Sequence, residues 1–163
     1  MKAVCAFLFI LSFISVSAEN KTFNYTGMDG NKHNFMVYSP EKHKSSDKVP
    51  CVIFFHGGGW TGGSLNQFKK MCEYFASRGM VAITADYSMH RKETLNALKK
   101  DESKKRICII DGKSLIRRVI NDSSKLGIDS NNIVVGGASA GGHISVLSVL
   151  DQKYSNPEDS TKE

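Results

Sequence analysis

The sequence predicts an α/β fold, a mostly parallel sheet with helices on both faces. Residues 49–55 (VPCVIFF) and 80–85 (MVAITA) are apolar runs without alternation, as strands buried on both faces require. Segments of helical length separate the strands, and that order implies a sheet layered between helices with right-handed crossovers. The composition agrees. A chain of 163 residues is one domain in size. With 40% hydrophobic and 23% charged residues it is neither disordered nor collagen-like. No repeat recurs at a fixed period, which removes solenoids and propellers.

The elements follow in order. Residues 21–26 and 32–38 alternate and flank the turn Gly27-Met28-Asp29-Gly30, so they form a hairpin. The third strand, 49–55, runs into His56-Gly57-Gly58-Gly59-Trp60. A helix over 65–78 ends before Gly79, a C-cap. The fourth strand is 80–85. A charged connection leads to a helix over 107–126, with apolar positions at 109, 116, 119 and 120 and a stop at Gly127. Residues 133–136 form a fifth, short strand, 137–142 a turn, and 143–150 a last helix. The tail after Asp151 is polar and offers no further strand.

Three domains of behaviour are expected along the chain: residues 1–18 as a secretory signal, 19–151 as the folded unit, and 152–163 as a polar tail. Positions 3–16 hold twelve apolar residues broken only by Ser12 and Ser15, Lys2 precedes them, and Val16-Ser17-Ala18 supplies small residues for cleavage. The exported chain starts at Glu19 and ends in a periplasm or the medium, with no stable membrane insertion after cleavage. Cys51, Cys72 and Cys108 remain, an odd number, and read as buried, inert thiols. No Cys or His spacing suggests a metal, and no cofactor is expected. Residues 89–106 carry a net charge of +4, but acids interrupt the cations and no aromatics interleave, so a solvated face is favoured over a nucleic-acid surface.

The chemistry lies in two glycine motifs. Gly137-Ala138-Ser139-Ala140-Gly141 is GxSxG between a strand and a helix. So tight a turn forces Ser139 into strained angles and lifts its hydroxyl above the carboxyl edge of the sheet. The helix that follows contributes free N–H groups and a positive dipole end. In His56-Gly57-Gly58-Gly59, the N–H groups of Gly58 and Gly59 can turn toward a developing oxyanion, with the Ala140 N–H as a third donor. One such donor contributes about 3–4 kcal/mol in a transition state.

HGGGW and GASAGGH together resemble the esterases and lipases of the α/β-hydrolase fold that carry an HGGG motif, the acetylesterase and hormone-sensitive-lipase-like enzymes. The resemblance covers about residues 30–150. It implies Ser139 as nucleophile, oxyanion amides at Gly58, Gly59 and Ala140, and a small ester as substrate. His56, Gly57, Gly137, Gly141 and His143 belong to the motifs as structural residues. Asp86-Tyr87 also fits, with Ser88 where the family often has Arg. The absence of an amino-terminal cap favours an acetylesterase over a capped lipase.

The family orders its triad Ser, Asp or Glu, then His. Here His143 is the only histidine after Ser139, and it lies one turn along the same helix. Asp151 is roughly 18 Å further on at 1.5 Å per helical residue. The triad acid and base are therefore expected to be absent from this chain, and the fold to be incomplete, ending at the nucleophile helix. The chain then reads as a fragment of a longer hydrolase, weakly active or inactive alone, with its fifth strand an open edge prone to self-association. Two other readings stay open. One is a hydrolase-like protein that binds without turnover. The other is a nucleotide site on Gly57, Gly59 and Gly62, with Asp86 at ribose-binding spacing, a weak motif crowded by His56 and Trp60.

Overall fold

The computed structural model describes residues 19–89 and 104–151. The segment expected to be a signal, most of the basic stretch and the polar tail lie outside those residues. Five strands form one sheet in the order β1-β2-β4-β3-β5. They are β1 (Glu19–Thr26), β2 (Lys32–Ser39), β3 (Val49–Phe55), β4 (Val81–Ala85) and β5 (Ile128–Gly137). β1 and β2 pair as the expected hairpin, β2 joins β4 antiparallel, and β3 pairs in parallel with both β4 and β5.

The helices are α1 (Lys69–Ser77), α2 (Lys104–Asn121), α3 (Ser123–Leu126) and α4 (Ala140–Leu150). On one face, Cys72 and Ala76 of α1 pack on Tyr38, Val52 and Ala82, with Phe54, Phe68 and Phe75 alongside. On the other, Ile107, Leu115 and Val119 of α2 and Ile144 of α4 pack on Phe35, Val37, Ile53, Phe55 and Ile83. The unalternating strands predicted this two-sided burial, and every residue of β4 is buried.

Several boundaries differ from expectation. The helix expected over 65–78 starts as a 3-10 turn, Leu65–Phe68, capped by the Ser64 hydroxyl accepting the Asn66 N–H at 3.2 Å. The helix expected over 107–126 starts at Lys104 and breaks at Asp122, whose carbonyl accepts both the Lys125 and Leu126 N–H groups at 2.9 Å. Gly127 ends the second piece in a left-handed conformation, as the stop required. The fifth strand is longer than 133–136 because Ile128 pairs with Val49 across an irregularity in register. The last helix begins at Ala140 rather than 143, because the turn after β5 is only two residues long.

Register places the site. Phe55 stands opposite both Ala85 and Gly137, so the three parallel strands end together. His56-Gly57, Asp86-Tyr87 and Ala138-Ser139 therefore leave the sheet side by side. This is the carboxyl edge, where ligands bind in open α/β sheets.

Candidate active site

Ser139 sits at the summit of the turn between β5 and α4. Its backbone lies at φ 50°, ψ −115°, a region that non-glycine residues avoid, and its side chain is exposed. The flanking glycines make the turn possible. A Cβ at Gly141 would lie 2.0 Å from the Phe55 carbonyl oxygen, and one at Gly137 would lie 2.5 Å from the Gly141 carbonyl carbon. Strand and helix backbones touch here with no room for a side chain. The Ala138 N–H donates to Phe55 O at 3.3 Å and the Gly141 N–H to Ala138 O at 2.8 Å, which fixes the bend.

The triple glycine approaches the same summit. A Cβ on Gly57 would stand 3.5 Å from Ser139 Cβ. Gly58 takes φ 134° and folds the loop so sharply that a side chain there would strike the Gly62 carbonyl. Supports from the 3-10 turn and from the segment after β4 hold the loop. The Gly57 N–H donates to Gln67 Oε1 at 2.7 Å, the Leu65 N–H donates to Asp86 Oδ1 at 3.1 Å, and the Tyr87 hydroxyl donates to the His56 carbonyl at 2.8 Å. No acceptor among the described residues takes the N–H of Gly58, Gly59 or Ala140. Gly58 and Gly59 are exposed and Ala140 is buried at the first position of α4.

His56 is fully buried. Its Nδ1 donates to the Gly57 carbonyl at 2.8 Å and its ring stacks on Tyr87 with centroids 4.5 Å apart. Nε2 lies 3.2 Å from Asp86 Oδ1 without the alignment of a hydrogen bond. So enclosed a ring packs the loop and offers no proton to a substrate. His143 is exposed on α4 and meets Trp60 edge-on at 5.2 Å. No histidine or carboxylate among the described residues bonds to the Ser139 hydroxyl. Asp151 caps the far end of α4, its carbonyl accepting from Lys113 Nζ at 3.3 Å.

The sequence singled out the two motifs and Asp86-Tyr87, but not the remaining braces. Gln67 and Leu65 carry no motif, and only the fold shows that Gln67 reaches Gly57. Trp60 was noted as crowding the loop, yet its positive φ of 72° had no signal in the sequence. The three cysteines are buried as expected, and burial pushes each thiol up to about 12, which leaves them protonated and unreactive. The nucleotide alternative finds no support from its first glycine, because Gly57 N–H is already spent on Gln67.

A strand-ordered sheet, a strained serine at the end of the fifth strand and a triple glycine beside it define an α/β-hydrolase of the esterase and lipase class, incomplete in this chain. The BD-FAE family model matches residues 35–163, and the chain belongs to that family. An AB hydrolase superfamily protein of Schizosaccharomyces pombe is 31% identical over 112 residues, covering 68% of this chain and 30% of that protein. Carboxylesterase NlhH of Mycobacterium tuberculosis is 28% identical over 130 residues, covering 79% and 36%. The thermophilic esterase of Thermogutta terrifontis superposes with a TM-score of 0.74 at 38% identity, over 87% of this chain and 47% of its own. The chain thus spans about half of that esterase and about a third of each of these two curated relatives.

Proposed function

We propose that this chain carries the nucleophile and oxyanion half of a serine ester hydrolase acting on small esters. In that reaction Ser139 Oγ adds to the ester carbonyl while its proton passes to a base. The carbonyl oxygen takes up negative charge against the N–H groups of Gly58, Gly59 and Ala140. The carbon–oxygen bond then breaks, the alcohol leaves with a proton, and an acyl-enzyme on Ser139 awaits water. The observation that carries this reading is the closeness of Gly57 to Ser139, where a Cβ on the glycine would meet Ser139 Cβ at 3.5 Å: it sets an exposed residue with a strained backbone beside a loop of unspent amides.

No described residue supplies the base. α2 and α4 pack against each other on one face of the sheet. The crossover through α2 carries the chain from β4 past β3 to β5. A right-handed crossover through α4, on that same face, continues in the same direction, onto the open side of β5. A parallel strand there would end beside Ser139, so the acid and base belong to polypeptide laid along that edge. The chain alone then keeps only what the oxyanion site supplies, on the order of 10³–10⁴-fold over water in serine hydrolases stripped of their triad.

That no described histidine or carboxylate bonds to Ser139 also favours a second reading, a hydrolase-like protein that binds esters without turnover. Hydrolysis of p-nitrophenyl acetate by purified protein separates the two. A slow rate that vanishes in Ser139→Ala supports the ester hydrolase. Equal rates in both proteins assign the second reading.

A further inference from the structure

Trp60 is held in a way the oxyanion loop does not need. It follows Gly59 with φ 72°, a left-handed backbone that a bulky residue adopts only when its surroundings impose it. Its indole is half-buried, leans on the main core, and meets the ring of His143 at 5.2 Å and an interplanar angle of 80°. His143 stands one helical turn from Ser139, so the indole spans from the oxyanion loop to the nucleophile helix. At its face, 5.7 Å from the ring centroid, lies the ammonium of Lys105 in the first turn of α2. Lys105 is exposed and makes no ion pair with a described residue. One carboxylate of the neighbourhood, Asp86, is turned to Leu65 and His56.

An apolar ring with a cation at its face that pairs with no described acid, beside the proposed ester site, has a definite chemical complement. Methylene groups pack on the indole, and a carboxylate beyond them meets the ammonium. We propose that Trp60 and Lys105 are the specificity wall of this site and select esters that carry a second, ionised carboxylate, such as half-esters of short dicarboxylic acids. The proposal rests on Ser139 marking the site where the ester carbonyl lies. A Lys at this position costs the fold nothing visible, and it repels no partner among the described residues.

Trp60 is the single tryptophan of the chain, so its emission reports on this wall alone. The full chain is titrated at low salt with monomethyl succinate and with methyl 4-methylpentanoate, a neutral ester of the same shape. Monomethyl succinate is expected to shift Trp60 emission with an affinity about fivefold to tenfold above the neutral ester, the scale of one partly exposed charged contact. In Lys105→Ala the two esters become equal, and in Lys105→Glu the neutral ester binds better. Equal affinities in the unaltered protein, a preference that survives in Lys105→Ala, or no response to either ester overturns the proposal. Binding needs no turnover, so this outcome stands apart from the p-nitrophenyl acetate test of Ser139.

Discussion

The two edges of the sheet are built on opposite principles. On β1, Glu19, Asn20, Lys21, Thr22, Asn24 and Thr26 face water, and Glu19 pairs with Lys21 at 3.0 Å. Only Phe23 and Tyr25 turn inward, where Phe23 stacks on Phe35 with centroids 5.4 Å apart. Its hairpin turn is tied down by polar groups. Buried Asp111 of α2 accepts the N–H of Met28 at 2.8 Å and of Ser88 at 2.7 Å, and Asp29 meets His33 Nε2 at 2.9 Å. On β5, Val134 is 60% exposed on one face. On the other face, a groove of about 300 Å³ runs between Ile133 and Val135 of the strand and Val146, Val149 and Leu150 of α4. Charge on an edge strand discourages pairing with other chains, and a bare apolar edge invites it. One side of the molecule ends the sheet, and the side that carries Ser139 leaves it open.

The strongest way to break this contrast is to cut the tie at the closed side. Asp111→Ala leaves one buried and one part-buried N–H group without an acceptor and should cost about 3 kcal/mol of stability. Urea unfolding measures it, and a loss under 1 kcal/mol would mean that the hairpin does not depend on the tie. The titration has a definite sign. Burial raises the Asp111 carboxyl above its ordinary range, against the hydrogen bonds from Ser88 and Met28. The folded protein therefore holds that proton more tightly than the unfolded chain. Its contribution to stability is complete below the ordinary carboxylate range and declines as pH rises through the raised folded value. Asp111→Asn should flatten that decline.

Much of this was legible beforehand, for reasons that differ by region. β3 and β4 announced themselves because both faces are buried, which leaves an apolar run that nothing else explains. The two glycine motifs were legible because close backbone contact, as between Gly141 and Phe55, excludes every other residue. The amino-terminal part of β5 was missed because Asp129, Ser130, Asn131 and Asn132 are polar, and what joins this part to the sheet is Ile128 pairing with Val49 across the irregularity. The break at Asp122 was missed because Leu126 and the stop at Gly127 read as the end of one helix, whereas the Asp122 carbonyl accepts both the Lys125 and Leu126 N–H groups. Asp111 was hidden inside an amphipathic helix, where one acid among apolar residues looks like a solvent position until the partner segments at Met28 and Ser88 are in place. Trp60 and Lys105 lie 45 positions apart, and only the fold brings them together.

A smaller effect is expected at the open side. Ser139 pays for its exposed position with a backbone that glycine adopts freely. Ser139→Gly should stabilise the protein by about 1 kcal/mol and remove any serine-dependent hydrolysis. Thermal unfolding and p-nitrophenyl acetate read the two quantities on one sample. A loss of stability instead would show that the hydroxyl, and not the chemistry, holds the bend.

The smallest effect on stability is the one that most sharpens the comparison. Val134→Lys puts a charge on an already exposed position and should change unfolding free energy by no more than about 0.5 kcal/mol. Its consequence lies between molecules. The uncovered flanks of β5 should drive copies of this chain together as concentration rises, and a lysine there should shift the distribution to monomer, as charged edge strands do. Thr22→Lys on β1 is the matched control, because that edge already carries Glu19, Asn20 and Lys21 beside it. Sedimentation velocity across a concentration series should show the Val134 variant monomeric where the unaltered chain and the Thr22 variant associate. If both substitutions act alike, or neither acts, the two edges are equivalent in solution, and the contrast between them does not govern association.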